Sequence, residues 1–325
     1  MDHVVDEEGD DGDIFIYRGG QAPQHVTHVL IDKSVDEIED NAFCFCRNLL
    51  QVETHDGIRK IGRFAFWGCK SLRRINLKFV VEIEDRAFVK CDNLESVEFG
   101  DRLERIGNKA FEHCVSIEHL KLPSIITIGS GSFTDCKRLI DVELSERLET
   151  IGKGAFRRCE RLHRIAIPLK RDLFVFNQYS QRYSQFDRCE QLVTVDLVGG
   201  VHKTVASLHM ERGRMDMIAE INRINHVLPN TPDDEKTNEL RQWVDLVMEK
   251  LSHYVFEHCR YVREGIILLE LALWKARLDE KEEYAGERKA KKAHVDATSA
   301  REEKRITCGA DIVIKNVLPF LRLEQ

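Results

Sequence analysis

The chain reads as an α/β repeat: a solenoid of stacked parallel strands, followed by an α-helical hairpin. Two observations predict the solenoid. Cys46, Cys69, Cys91, Cys114, Cys136 and Cys159 recur at intervals of 23, 22, 23, 22 and 23 residues, with Cys189 following after 30. Each thiol is also framed by nearly the same residues, as in IGNKAFEHCVSIEHLKL, IGRFAFWGCKSLRRINL and IGKGAFRRCERLHRIAI. A third observation predicts the hairpin. Beyond VDLVGGVHK the repeat stops, and apolar residues return at steps of three and four.

Within the frame, the terminal V-x-L, filled by Leu120 and Leu122 in one coil, alternates as one face of a short strand. A single such strand cannot bury its face. Coils stacked in parallel about 4.8 Å apart share one core. Leu, Val and Leu at offsets of three and two, on a period of 20–29, define a leucine-rich-repeat solenoid. A partial unit (Val26, Val29, Ile31, Val35, Ile38) starts the stack. On the opposing side Phe43, Phe66, Phe88, Phe111, Phe133 and Phe156 are expected to stack, and the glycines after Ile61, Ile106, Ile128 and Ile151 suit turns with positive φ.

The cysteines fall at one position of each coil and are expected as a column of small buried residues. Parallel Cβ vectors one coil apart lie beyond the roughly 3.5–4.5 Å that a disulfide needs. No CxxC pair occurs, so zinc spacing is absent and no metal or cofactor is expected. Packing, not chemistry, accounts for the thiols.

This frame resembles the BspA-like leucine-rich repeats over about residues 26–198. The resemblance implies a binding or adhesion module, often at a bacterial surface, and implies no catalytic residues.

The sequence divides into an acidic, disordered stretch at 1–13, the solenoid at 14–200, a helical hairpin or coiled-coil-like segment at 201–278, a charged helix extension or linker at 279–305 and an apolar segment at 306–325. In the hairpin, Met217, Ile218, Ile221, Ile224 and Leu228 follow helical spacing up to Pro229. Thr231 then reads as an N-cap with Pro232 at N1. From Leu240, Val244, Val247 and Leu251 the seam continues through Tyr254, His258, Tyr261, Gly265, Leu268 and Ala272. Such a hairpin either caps the open end of the solenoid or pairs with another copy. Trp243 and Trp274 are expected in that contact.

Two surfaces are candidates for binding. Outward strand positions form the columns Asn76, Glu98, Lys121, Glu143, Ala166, Asp196 and Arg74, Ser96, His119, Asp141, Arg164, Thr194. Alternating signs suit a self-consistent solvated sheet, with a partner-reading face as the alternative. The break in rhythm, PLKRDLFVFNQYSQRYSQFDRC, supplies Phe174, Phe176, Tyr179, Arg182 and Tyr183. Aromatics and arginine dominate interface hot spots. The opposing reading has Leu173, Val175 and Phe186 filling the core while the rest loops out.

No enzyme motif is found. Gly129-Ser130-Gly131 belongs to the repeat, and His253, Glu257 and His258 miss the zincin spacings. A formal net charge of −7 argues against nucleic acid. An acidic N-terminal stretch, the lack of a long apolar run, the absence of an N-x-S/T sequon and ten cysteines together predict reduced thiols and a cytoplasmic or nuclear setting. The expected function is a non-enzymatic scaffold for a protein partner. The alternative is cell-surface adhesion or host binding.

Overall fold

A computed structural model describes residues 14–175, 184–198 and 211–290, with side chains of the last stretch described from 213 to 277. The chain divides into two units, Met1–Leu251 and Ser252–Gln325.

In the first unit each coil contributes to two sheets. The V-x-L positions form the longer strands β1 (Ile14–Tyr17), β2 (His28–Ile31), β4 (Gln51–Glu53), β6 (Arg74–Leu77) and β8 (Ser96–Phe99), which pair in that order and in parallel. A second group, β10 (His119–Lys121), β12 (Asp141–Glu143), β14 (Arg164–Ile167) and β15 (Thr194–Leu197), continues the same face. The frame isoleucine of each coil, followed by glycine in four of them and by Glu39 or Glu84 in the other two, makes a second, six-stranded sheet of two-residue strands: β3 (Glu37–Ile38), β5 (Lys60–Ile61), β7 (Glu82–Ile83), β9 (Arg105–Ile106), β11 (Thr127–Ile128) and β13 (Thr150–Ile151). Periodicity over two residues is too short to announce a strand, so this sheet was not legible beforehand.

Between the sheets lies the core. Phe43 to Phe156 stack face to face, with ring centroids 4.9–5.4 Å apart and planes within 10° of parallel. Tyr17 extends the column at one end and Phe186 at the other. The strand β1 therefore adds one strand ahead of the partial unit, and Tyr17, in register with Ile31, lays its ring against the end of the phenylalanine column. Such a ladder works because one ring per coil, at coil spacing, gives each ring an apolar neighbour on both faces.

The frame glycines have a different purpose from the one expected. Gly62, Gly107, Gly129 and Gly152 do not have positive φ. A Cβ on Gly152 would instead lie 2.4 Å from the Ser130 backbone nitrogen, and one on Gly107 2.5 Å from that of Asp85. These residues are glycine because the previous coil's backbone passes there. The left-handed positions lie two residues before and two after each ring from Phe43 to Phe156. Phe64, Arg86, Lys109, Lys90, His113 and Asp135 fill some of them at φ 56–62°.

Past the solenoid, α1 (Glu211–Val227), a 3-10 turn at Leu228–Asn230 and α2 (Lys236–Ala290) follow. Met217, Ile224, Leu228, Leu240, Trp243, Val244 and Val247 are buried. The Trp243 indole donates to the Glu220 carbonyl at 3.1 Å, fastening α2 to α1. Thr231 is not the N-cap of α2. Its hydroxyl donates to the Val227 carbonyl at 3.0 Å, closing α1, and α2 begins at Lys236. Trp274, expected in the hairpin contact, is 65 % exposed.

The hairpin closes the solenoid by imitating a further coil. Inside the stack each phenylalanine N–H donates to a carbonyl of the next coil, as Phe43 does to Ala65 at 2.7 Å. Phe186 has no next coil, and its N–H donates to Thr237 Oγ1 at 3.2 Å. The Val195 N–H donates to Asn225 Oδ1 at 2.7 Å. Buried Lys236 donates from Nζ to the carbonyls of Cys189 and Glu190 at 2.7 and 3.1 Å and lies 2.9 Å from Asp233 Oδ1. Backbone groups buried at a sheet end need such partners.

Candidate interaction surface

The cysteine column carries no reactive site. Cys69, Cys91, Cys114, Cys136, Cys159 and Cys189 are fully buried and free. Each thiol donates to a phenylalanine carbonyl of the preceding coil: Cys69 to Phe43 at 3.0 Å, Cys114 to Phe88 at 3.1 Å and Cys189 to Phe156 at 3.0 Å. The column is therefore a hydrogen-bond ladder as well as a packing device. This was the part that spacing did not reveal, since a small hydrophobe and a thiol donor obey the same period. Burial pushes the Cys91, Cys136 and Cys159 thiols far up, and Cys46 to about 11, with Cys44 adding to the latter. Thiols held neutral are poor nucleophiles. Among the described residues, no three His, Cys, Asp or Glu side chains are gathered as metal ligands.

The sequence-derived candidates at the insertion separate. Phe174 is 5 % exposed, pairs in parallel with Ile151 and packs edge-on against Phe186 at 5.9 Å. It occupies the coil's short-strand position and is a core residue, which corrects its assignment as a contact residue. Leu173 and Phe186 are buried as the opposing reading had it, whereas Val175 is 46 % exposed. Phe176, Tyr179, Arg182 and Tyr183 lie outside the described residues. Gln185 holds the short strand on the core side, donating from Nε2 to the carbonyls of Val175 and Ile151 at 2.8 and 3.2 Å.

The outward face of the long strands has two different halves. Toward the C-terminal end its charges satisfy one another. Arg164 bridges Asp141 at 2.8 Å and Asp196 at 2.7 Å, and Lys121 meets Glu143 at 3.6 Å. The Arg164 guanidinium is held above its ordinary range, first by its hydrogen bond to Asp141 and against partial burial.

Toward the N-terminal end the pattern changes. Strands β4, β6 and β8 line an open groove whose rows are Leu50, Arg73, Glu95, then Gln51, Arg74, Ser96, then Glu53, Asn76, Glu98. Arg73 and Arg74 are exposed, and neither has an ion pair among the described residues. In register with Glu53, along β2 and β1, stand Leu30 and Ile16, and the row of Arg74 and Gln51 runs through His28 to Ile14 on the outermost strand. Ile14, Ile16, Leu30 and Leu50 are all more than 40 % exposed. The outward columns read from the sequence began on β6 at Arg74 and Asn76 and so stopped short of this patch on β1, β2 and the start of β4. Its signal was present as apolar residues at outward positions of β1 and β2.

A parallel-strand solenoid with a hydrogen-bonded end cap and an outward strand face is the architecture of a leucine-rich-repeat binding module. The profile described as "BspA type Leucine rich repeat region (6 copies)" matches residues 22–124 and 78–192, together more than half of the chain, and the protein belongs to that family. Among solved structures, the chain is 29 % identical to the Treponema pallidum leucine rich repeat protein, covering 61 % of this chain and 88 % of that one with a TM-score of 0.47. A leucine-rich repeat protein from Bacteroides ovatus is 22 % identical, covering 54 % and 56 % at 0.36. A leucine rich cell surface protein from Faecalibacterium prausnitzii is 20 % identical, covering 59 % and 63 % at 0.36. The chain thus spans less than two thirds of the latter two. No curated protein sequence matches significantly.

Proposed function

We propose that this protein is a non-enzymatic interaction scaffold whose solenoid presents the outward face of β1, β2, β4 and β6 to a protein partner. One observation carries the reading. Charges on the far half of the same face are paired with each other, whereas Arg73 and Arg74 have no ion pair among the described residues, Leu50 lies in the row of Arg73, and Leu30, Ile16 and Ile14 are exposed on the same face two and three strands away. Arginine on one face with exposed aliphatic side chains is the composition of an interface, not of a solvated charge ladder. The partner that fits is a protein segment carrying carboxylates next to apolar side chains.

The remaining insertion residues Phe176, Tyr179, Arg182 and Tyr183 are proposed as a second contact. A cytoplasmic setting belongs to the same proposal, supported by a long column of free thiols. The family also accommodates cell-surface adhesion, and surface biotinylation of intact cells with fractionation of the tagged protein separates the two. The binding reading is tested by quantitative affinity purification of the full chain against two variants, Arg73→Glu with Arg74→Glu, and Tyr179→Ala with Arg182→Ala and Tyr183→Ala. The first variant is expected to lose specific partners at an unchanged melting temperature. A partner set unaltered in both variants contradicts the proposal.

A further inference from the structure

In the second unit, α2 continues as a helix from Ser252 to Ala290. Its central stretch, Gly265–Trp274, reads GIILLELALW and holds one charge in ten residues. Leu268 is 66 % exposed, Leu271 60 % and Tyr261 52 %. A helix this apolar is normally enclosed. No helix among the described residues is long and apolar enough to cross a membrane. A second protein helix laid along it would enclose it.

From this we infer that the stretch Tyr261–Ala272 pairs antiparallel with the same stretch of a second copy of this chain. The seam alternates large and small: Tyr261, Gly265, Leu268, Ala272. A two-fold axis between Ile266 and Ile267 sets Tyr261 of one copy against Ala272 of the other, and Leu268 against Gly265. Every layer then joins one bulky and one small residue. The space a Cβ would take at Gly265 is empty within 4 Å, so the second helix can approach there. A parallel pair would set Gly265 on Gly265 and Ala272 on Ala272, leaving gaps that forfeit contact.

Charge follows the same register. Glu257, which meets Arg260 of its own helix at 3.2 Å, comes beside Lys275 of the other copy, and Lys275 beside its Glu257, so one contact is made twice, as a two-fold interface requires. Val262 and Leu269 meet along the other flank. None of this depends on the outward face of the solenoid.

The test is sedimentation equilibrium of the full-length chain at micromolar concentrations, with three variants. The wild type is expected to be a dimer. Leu268→Glu should raise the dissociation constant at least a hundredfold, with the solenoid's thermal transition unchanged. Glu257→Lys should weaken the dimer about three- to tenfold, and adding Lys275→Glu should restore it. A monomeric wild type overturns the inference, including the case in which residues 291–325 cover the seam and Leu268→Glu lowers the melting temperature of the monomer. A dimer indifferent to Leu268→Glu overturns it as well. Rescue in the double charge variant separates pairing across the axis from a loss of helix.

Discussion

At the scale of residues, this fold rests on side chains whose purpose lies one coil away. Cys136 donates to Phe111 and Cys159 to Phe133, so replacing either by alanine removes a buried donor and a little volume together. Cys136→Ala is expected to cost about 1–2 kcal/mol in urea unfolding. Cys136→Val fills the space without a donor and adds branched bulk, and should cost about 1–3 kcal/mol. The frame glycine gives a second residue-scale expectation. Gly152→Ala forces a methyl onto the Ser130 backbone and should destabilise by about 1–3 kcal/mol, although its φ is permissive. The cysteine beat and the glycine were both visible in the sequence, but their reasons were not. A thiol donor looks like a small hydrophobe, and close approach looks like turn chemistry, until the neighbouring coil is in place.

At the scale of elements, the end cap is where sequence and structure meet unevenly. Helical spacing announced α1 and α2, and a cap on the open end was one of the two roles expected of them. Which residues would do it was not legible, because Asn225, Lys236 and Thr237 sit among ordinary surface types and acquire their partners only through the turn between the helices. Lys236→Met should leave the Cys189 and Glu190 carbonyls without that donor and cost about 1–3 kcal/mol. Hydrogen exchange should then quicken first in β15, the strand under the cap.

The junction between the helices also titrates. Burial pushes the Glu220 carboxyl up, but the Lys250 ammonium and Arg223 guanidinium beside it outweigh that and hold it below the usual carboxylate range. A depressed folded value stabilises the protein above the unfolded value, and that share is lost as pH falls through the folded one. Glu220→Gln should therefore be less stable than wild type near neutral pH, with the gap closing below the ordinary carboxylate range. Melting curves from pH 7 to pH 3 check this.

For the whole molecule, legibility followed periodicity. The solenoid, its direction and its phenylalanine stack could be read because six coils repeat one frame. The N-terminal strand β1 could not, since IFIY lacks the frame and enters the stack only through Tyr17. The candidate surface was half legible for the same reason. Outward positions could be assigned, but whether their charges pair with each other depends on side-chain geometry between coils. Where a residue departed from the frame the sequence misled, as with Phe174, whose aromatic ring resembled a contact and is a core element.

The central claim is that each coil is stable only against its neighbours, with thiols and rings sealed between them. Native-state alkylation of the full chain, read residue by residue with mass spectrometry, tests it most directly. Cys44 and Cys259, which are partly exposed, should label within minutes, while Cys91, Cys114 and Cys136 should remain unmodified until the solenoid unfolds in denaturant. Labelling of those three at the rate of Cys44 in native buffer would contradict the account.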